Sequence, residues 1–177
     1  MSSLKPWLML LLIAAICGAL LQGAYSLTRT PIEDNREQAR RAVLVDLLKA
    51  DRPDIGLPVQ DVSTGTCNDI LVTLVSTPGY AGEIEWLVAS QPDAMGVVRI
   101  SMRATRHLET PGIGDFINGE WLSALDESPR NNWATLDGVS GATITFNAVR
   151  TAALQAFTHF ETHCLEKEVE GDGGGEP

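Results

Sequence analysis

The sequence predicts an α+β fold, with a mostly antiparallel sheet and packed helices, behind an N-terminal transmembrane helix. Three observations carry this expectation. Residues 6–28 hold no charge, and residues 7–21 are nearly all apolar. Val98, Ile100, Met102 and Ala104 alternate with Arg99, Ser101, Arg103 and Thr105, the period-two pattern of a half-buried strand. From Thr145 onward, Val149, Ala152, Ala153, Ala156, Phe157 and Phe160 recur at spacings of three and four, which is one apolar helix face.

Between Lys5 and Arg29 lie 23 uncharged residues (28 minus 5), against the roughly 20 needed to cross a bilayer. Trp7 and Tyr25 fall near the two ends, where interfacial aromatics belong. A cleavable signal would carry a shorter apolar core of about 7–15 residues, so the segment reads as an uncleaved anchor over residues 1–29. Ile16 before Cys17 argues against a lipoprotein signal. A count of Arg29, Arg36, Arg40 and Arg41 against Lys5 would put the following domain in the cytoplasm.

Of 177 residues, 148 follow the anchor (177 minus 29), enough for one domain with its own core. The formal net charge of −10 argues against nucleic acid as a partner. The basic groups Arg36, Arg40, Arg41 and Arg99, Arg103, Arg106 read as solvated faces. Cys67 and Cys164 lack metal-ligand spacing. They could pair in an oxidising compartment or remain two free thiols.

Thr30-Pro31-Ile32-Glu33 has the marks of a helix start, with Thr30 as N-cap, proline first and Glu33 third. Ile32, Ala39, Ala42, Val43, Leu47 and Leu48 continue the stripe, and a loop follows over residues 51–66. Strands are expected over residues 70–76 and 83–89, the latter with Ile84, Trp86 and Val88 on one side. Pro92-Asp93 and Gly96 mark a hairpin into the alternating strand. The domain spans residues 30–165, and the acidic, Gly-rich residues 166–177 read as disordered.

Asp137-Gly138-Val139-Ser140-Gly141-Ala142-Thr143 precedes the last helical pattern. With Thr145 as N-cap, Thr143 sits on the loop before a helix N-terminus, whose unpaired N–H groups and dipole favour an anion. Gly138 and Gly141 permit close backbone approach, and the Thr143 hydroxyl is well placed to carry a phosphate. Taken alone, a Gly-rich loop before a helix is equally a turn and a cap. A second such stretch, His107-Leu108-Glu109-Thr110-Pro111-Gly112-Ile113-Gly114-Asp115, reads alone as a surface turn.

Together these stretches carry a resemblance. D-G-x-[S/T]-G-A-T resembles the flavinylation motif of FMN-binding proteins, in which the last threonine is joined to FMN through a phosphoester; Thr143 is the matching position. E-T-P-G-I-G-D at a strand exit resembles the second signature of the G subunit of the Rnf (Rsx) electron-transport complex. Tyr80-Ala81-Gly82-Glu83-Ile84 is similar to that family's G-Y-x-G-x-[IL] segment.

The resemblance implies an FMN-binding domain with FMN held covalently on Thr143 by a flavin transferase that uses FAD and releases AMP. It implies cofactor contacts from Asp137, Ser140, Gly141 and Ala142 on one loop and Glu109, Thr110, Pro111, Gly112, Ile113 and Gly114 on the other. Glu109 and Asp115 would disfavour anionic reduced flavin if close and ionised. His107 would be a proton shuttle or simply a strand-end histidine. No catalytic residue and no metal ligand is expected. The implied role is electron relay in a membrane-bound, ion-translocating oxidoreductase working between ferredoxin and NAD, its partners being the other subunits, with the domain on the periplasmic side of a bacterial inner membrane. The flavin subunit of a sodium-pumping NADH:quinone reductase, which shares S-G-A-T, and an anchored FMN sensor are the alternatives. Two departures from the family stand out: residues 115–133 form a short stretch, and Phe116 stands where lysine is common.

Overall fold

The computed structural model describes residues 4–50, 52–59 and 62–165, and the tail expected to be disordered lies outside them. Contacts divide the chain into two compact units, Met1–Ala39 and Arg40–Pro177.

One continuous helix, α1 (Leu4–Leu48), runs from the first unit into the second, with Pro31 inside it. The helix start expected at Thr30 is therefore not there. Proline removes one N–H donor, but strong helix formers on both sides carry the helix through a single lost bond. Thr28 Oγ1 donates to Ala24 O at 2.9 Å and Ser26 Oγ to Gly23 O at 2.9 Å, the back-bonding of hydroxyls within a helix rather than at its cap. Among the described residues, α1 is one helix long and apolar enough to cross a membrane, and its apolar segment is exposed.

The second unit is an α+β domain. Its five strands form an antiparallel meander in the order β1-β2-β3-β4-β5: β1 (Thr64–Gly65), β2 (Leu71–Pro78), β3 (Glu83–Pro92), β4 (Val98–Arg106) and β5 (Ser128–Pro129). The expected hairpin joins β3 and β4: Asp93 N–H donates to Val97 O at 3.0 Å and Gly96 N–H to Asp93 O at 2.9 Å. The N–H groups of Val97 and Met95, and then Arg99, hold the Asp93 carboxyl below the usual carboxylate range. Short helices α2 (Glu120–Ser123) and α3 (Arg130–Ala134) flank β5, and α4 (Thr143–Phe160) lies against β2, β3 and β4.

Strand β3 is buried on both faces from Trp86 to Ser90, beyond the one-sided burial that its alternation suggests. Ile84, Trp86 and Val88 share a cluster with Ala152, Ala153, Ala156 and Phe157 of α4. On the other face Leu87 and Ala89 pack with Leu44 and Leu47, the C-terminal turns of α1. The helix that begins as an apolar anchor thus ends as one layer of the domain.

Two tethers close the unit. Cys67 and Cys164 form a disulfide, with Cα atoms 5.5 Å apart, that ties the turn after β1 to the chain end beyond α4. Arg103 is a buried tie rather than part of a solvated face. It makes two bonds to Asp126, at 2.7 and 2.8 Å, and a third to Asp46 at 2.9 Å. The pairing with Asp126, more than that with Asp46, raises its pKa further above the already basic arginine value. Arg40 likewise donates to Glu85 Oε2 at 2.7 Å.

Replacing Arg103 leaves the Asp126 carboxylate enclosed without its partner. Arg103→Ala is expected to cost roughly 3 kcal/mol in chemical denaturation of the full chain in detergent. Arg103→Lys, which lacks the two-pronged fit, is expected to recover only part of that loss.

Candidate functional site

The site is built where β4 leaves the sheet. The β3–β4 register shifts between Glu85 and Trp86, where Thr105 Oγ1 donates to Glu85 O at 3.2 Å. Such an irregularity bends the strand and re-aims the residues after it. Two residues later, His107 Nδ1 accepts the Glu109 N–H at 3.2 Å, which leaves Nε2 protonated and directed at Asn118 Oδ1, 3.1 Å away. His107 shapes the backbone that enters the loop.

Glu109 is the pivot. It is a buried carboxylate, 6% exposed, and both its oxygens are engaged by other segments. Oε1 accepts the Ala81 N–H at 3.2 Å, on the turn between β2 and β3. Oε2 accepts the hydroxyl of Thr145 at 2.5 Å, in the first turn of α4. A short O–H···O contact of this kind fits an ionised acceptor. Two glycines make room for it: a Cβ on Gly79 would collide with Glu109 Oε1, and one on Gly114 would stand 2.6 Å from Oε2.

Beyond Glu109 the chain turns on itself. Thr110 O accepts the N–H groups of Ile113 at 3.1 Å and Gly114 at 2.9 Å, while Asp115 Oδ1 accepts the Gly112 N–H at 2.8 Å. Asp115 therefore closes this turn. Phe116, the departure from the family pattern, packs edge-on against Trp121 with ring centroids 4.9 Å apart and joins the core.

The other loop ends at α4, which begins two residues earlier than expected. Thr143 is its first residue, and Thr145 lies inside the first turn rather than capping it. Ala142 occupies the cap position and supplies no side-chain bond. The N–H groups of Thr143, Ile144 and Thr145 are thus left without the partners a polar cap would have given them. Gly141 has φ +82°, a left-handed conformation that strains any residue with a Cβ, and it turns the chain into the helix. Thr143 and Ile144 are exposed, whereas Ala142 and Thr145 are buried.

Between the loops lies a cleft of about 500 Å³ lined by Glu109, Thr110, Ile113, Gly114, Gly141, Ala142 and Thr143, together with Tyr80, Ile144 and Thr145. The two sequence motifs, distant along the chain, are thus brought together. Pro111 and Gly112 form the exposed tip of one turn, and Asp137 and Ser140 lie on exposed chain before Gly141, all four outside the cleft lining. Sequence reasoning missed Thr145 as the partner of Glu109, and it missed Ile144. Nothing local marks a threonine as the acceptor's partner 36 residues away.

A cleft of this volume is in the range of cofactor sites. Its lining suits a phosphorylated planar ring: free helix N–H groups and a hydroxyl at one end, and apolar side chains beside them. Comparison with known proteins agrees with this fit. Residues 79–158 match the family model described as an FMN-binding domain, so this part of the chain is an FMN-binding domain. The chain is 30% identical over 175 residues to the G subunit of the ion-translocating oxidoreductase complex of Pasteurella multocida, covering 80% of this chain and 85% of that one. The corresponding subunits of Aliivibrio fischeri strain MJ11 and Escherichia coli K12 are 28% and 29% identical, each over 193 residues; coverage is 90% of both chains for the first, and 87% of this chain and 91% of the relative for the second. The chain belongs to the family formed by the G subunits of ion-translocating oxidoreductase complexes.

Glu109→Ala strands the Thr145 hydroxyl and the Ala81 N–H, each in a confined setting. Its expected cost is about 1–3 kcal/mol in thermal or denaturant unfolding. Glu109→Gln keeps the shape and one acceptor oxygen, and a clearly smaller loss is expected for it in the same measurement.

Proposed function

We propose that this chain is a membrane-anchored flavoprotein subunit that relays electrons within an Rnf-type complex, with FMN joined to Thr143 through a phosphoester. The observation that carries the reading is the position of Thr143: an exposed hydroxyl on the first residue of an uncapped helix, at the rim of a cleft shared by both motifs. Attachment needs a bond from Thr143 Oγ to the flavin-side phosphorus of FAD and loss of AMP. A threonine hydroxyl is a poor nucleophile, so the base that takes its proton comes from a flavin transferase. The exposure of Thr143 and the small residues beside it suit the approach of such an enzyme.

Once bound, FMN supplies the redox chemistry, and the protein's part is to hold it, orient it and set its surroundings. The N–H groups at the start of α4 bind phosphate oxygens, and the helix dipole favours their charge. Ile113 and Ile144 exclude water from the ring. The Glu109 carboxylate in the cleft wall disfavours added negative charge nearby. A tethered cofactor cannot be lost by dilution, which suits a relay.

The names of the relatives support the wider role, in which the other subunits of the complex are the partners and electron flow between ferredoxin and NAD is coupled to ion movement. The apolar part of α1 supports a single-pass anchor. For the side of the membrane, the arginine count and the family disagree. The Cys67–Cys164 disulfide favours the periplasm, since such bonds persist in oxidising compartments.

The test is in-gel flavin fluorescence after denaturation, from cells that also make a flavin transferase. Wild type should fluoresce, Thr143→Ala should be dark, and Thr143→Ser, which keeps a hydroxyl, should retain part of the signal. Equal fluorescence in Thr143→Ala would remove the attachment site.

A further inference from the structure

We infer that Tyr80 is a flavin-contacting residue: the turn between β2 and β3 presents its ring to the isoalloxazine of the FMN carried by Thr143. The inference rests on the attachment proposed above and assigns a role to a third segment. Tyr80 lines the same cleft as Thr143 and Gly114, and it is 70% exposed. An exposed tyrosine on a surface turn is ordinary in itself. Here, however, its backbone is held from two directions. Gly79 N–H donates to Gly82 O at 2.7 Å, and the next residue, Ala81, donates its N–H to the buried Glu109. Gly82, at φ +139°, and Gly79, against which Glu109 and Ile84 press, allow no side chain in their places. A tightly specified turn is thus tied to the middle of the site, with its one large side chain at the cleft.

The neighbours point to the kind of occupant. Ile113 is 55% exposed and Ile144 52% exposed, so three large side chains from three segments stand uncovered around one cleft. An aromatic ring and two aliphatic side chains beside a phosphate-accepting helix end match a planar, largely apolar ring on a phosphorylated tail. Tyrosine gains from offset or edge-on contact with another π system, and its hydroxyl remains free for solvent or a ring heteroatom. Through Glu109, one carboxylate then positions the residue that carries the phosphate and the residue that meets the ring.

The chain has two tyrosines, Tyr25 and Tyr80, which makes a direct readout practical. Full-length protein in detergent is labelled with fluorotyrosine, and the resonance of Tyr80 is assigned by its loss in Tyr80→Phe. On flavinylation the Tyr80 signal should move through the ring current of the flavin while that of Tyr25 stays in place. Tyrosine in contact also quenches flavin emission. Tyr80→Leu should therefore lengthen the fluorescence lifetime several-fold, with the flavin mass retained on the protein. An unmoved Tyr80 resonance, or an unchanged lifetime in a Tyr80→Leu protein that carries its flavin, overturns the inference. Should wild type carry no flavin mass at all, the attachment reading fails by itself. The fluorine shift on adding free FMN then decides Tyr80 independently.

Discussion

The whole site depends on one buried carboxylate. Glu109 is 6% exposed, and burying an acidic group is costly unless its oxygens are satisfied. They are satisfied by a backbone N–H from one turn and a threonine hydroxyl from the first turn of α4. That requirement joins three pieces of chain that would otherwise be separate surface turns. It also explains why Gly79 and Gly114 carry no side chain, since the carboxylate occupies the space a Cβ would take. The glycines of these loops serve close packing around Glu109 as much as access for a ligand.

From that pivot the division of labour follows. The sheet and α4 form a rigid block through the cluster of Ile84, Trp86, Val88, Ala152, Ala153 and Phe157, and the loops at one end of it form the cleft. Sites anchored on such elements hold their geometry better than sites on free loops. At the start of α4 the polar cap that would normally close a helix is missing, and a threonine hydroxyl stands in the open. An uncapped end is a local loss of about 1 kcal/mol relative to a capped one. A bound phosphate would offset it, which gives a physical reason for Ala142 at a position where serine or aspartate would stabilise the empty protein.

The fold was legible where the pattern was local. Alternation in Val98–Arg106 and the turn signals at Asp93 and Gly96 gave β4 and its hairpin, and the apolar stripe gave α4. Signals with two local meanings misled. Thr30-Pro31-Ile32-Glu33 has the composition of a helix start, yet it lies within one long helix, because a single missing N–H does not outweigh favourable neighbours on both sides. Thr145 resembled a cap because it precedes an apolar stripe, but its hydroxyl belongs to Glu109. The burial of Leu87 and Ala89 was invisible because it depends on Leu44 and Leu47, far away in the chain. Arg103 looked like part of a solvated face for the same reason: Asp126 and Asp46 come to it only on folding. The site motifs were legible as motifs. Their closeness, and the place of Tyr80 between them, required the three-dimensional arrangement.

The most direct measurement is mass spectrometry of the peptide that contains Thr143, isolated from the native membrane complex. The account predicts a peptide heavier by FMN less one water, with fragmentation placing the addition on Thr143. A bare peptide, or the same addition on Ser140 or Thr145, would contradict it.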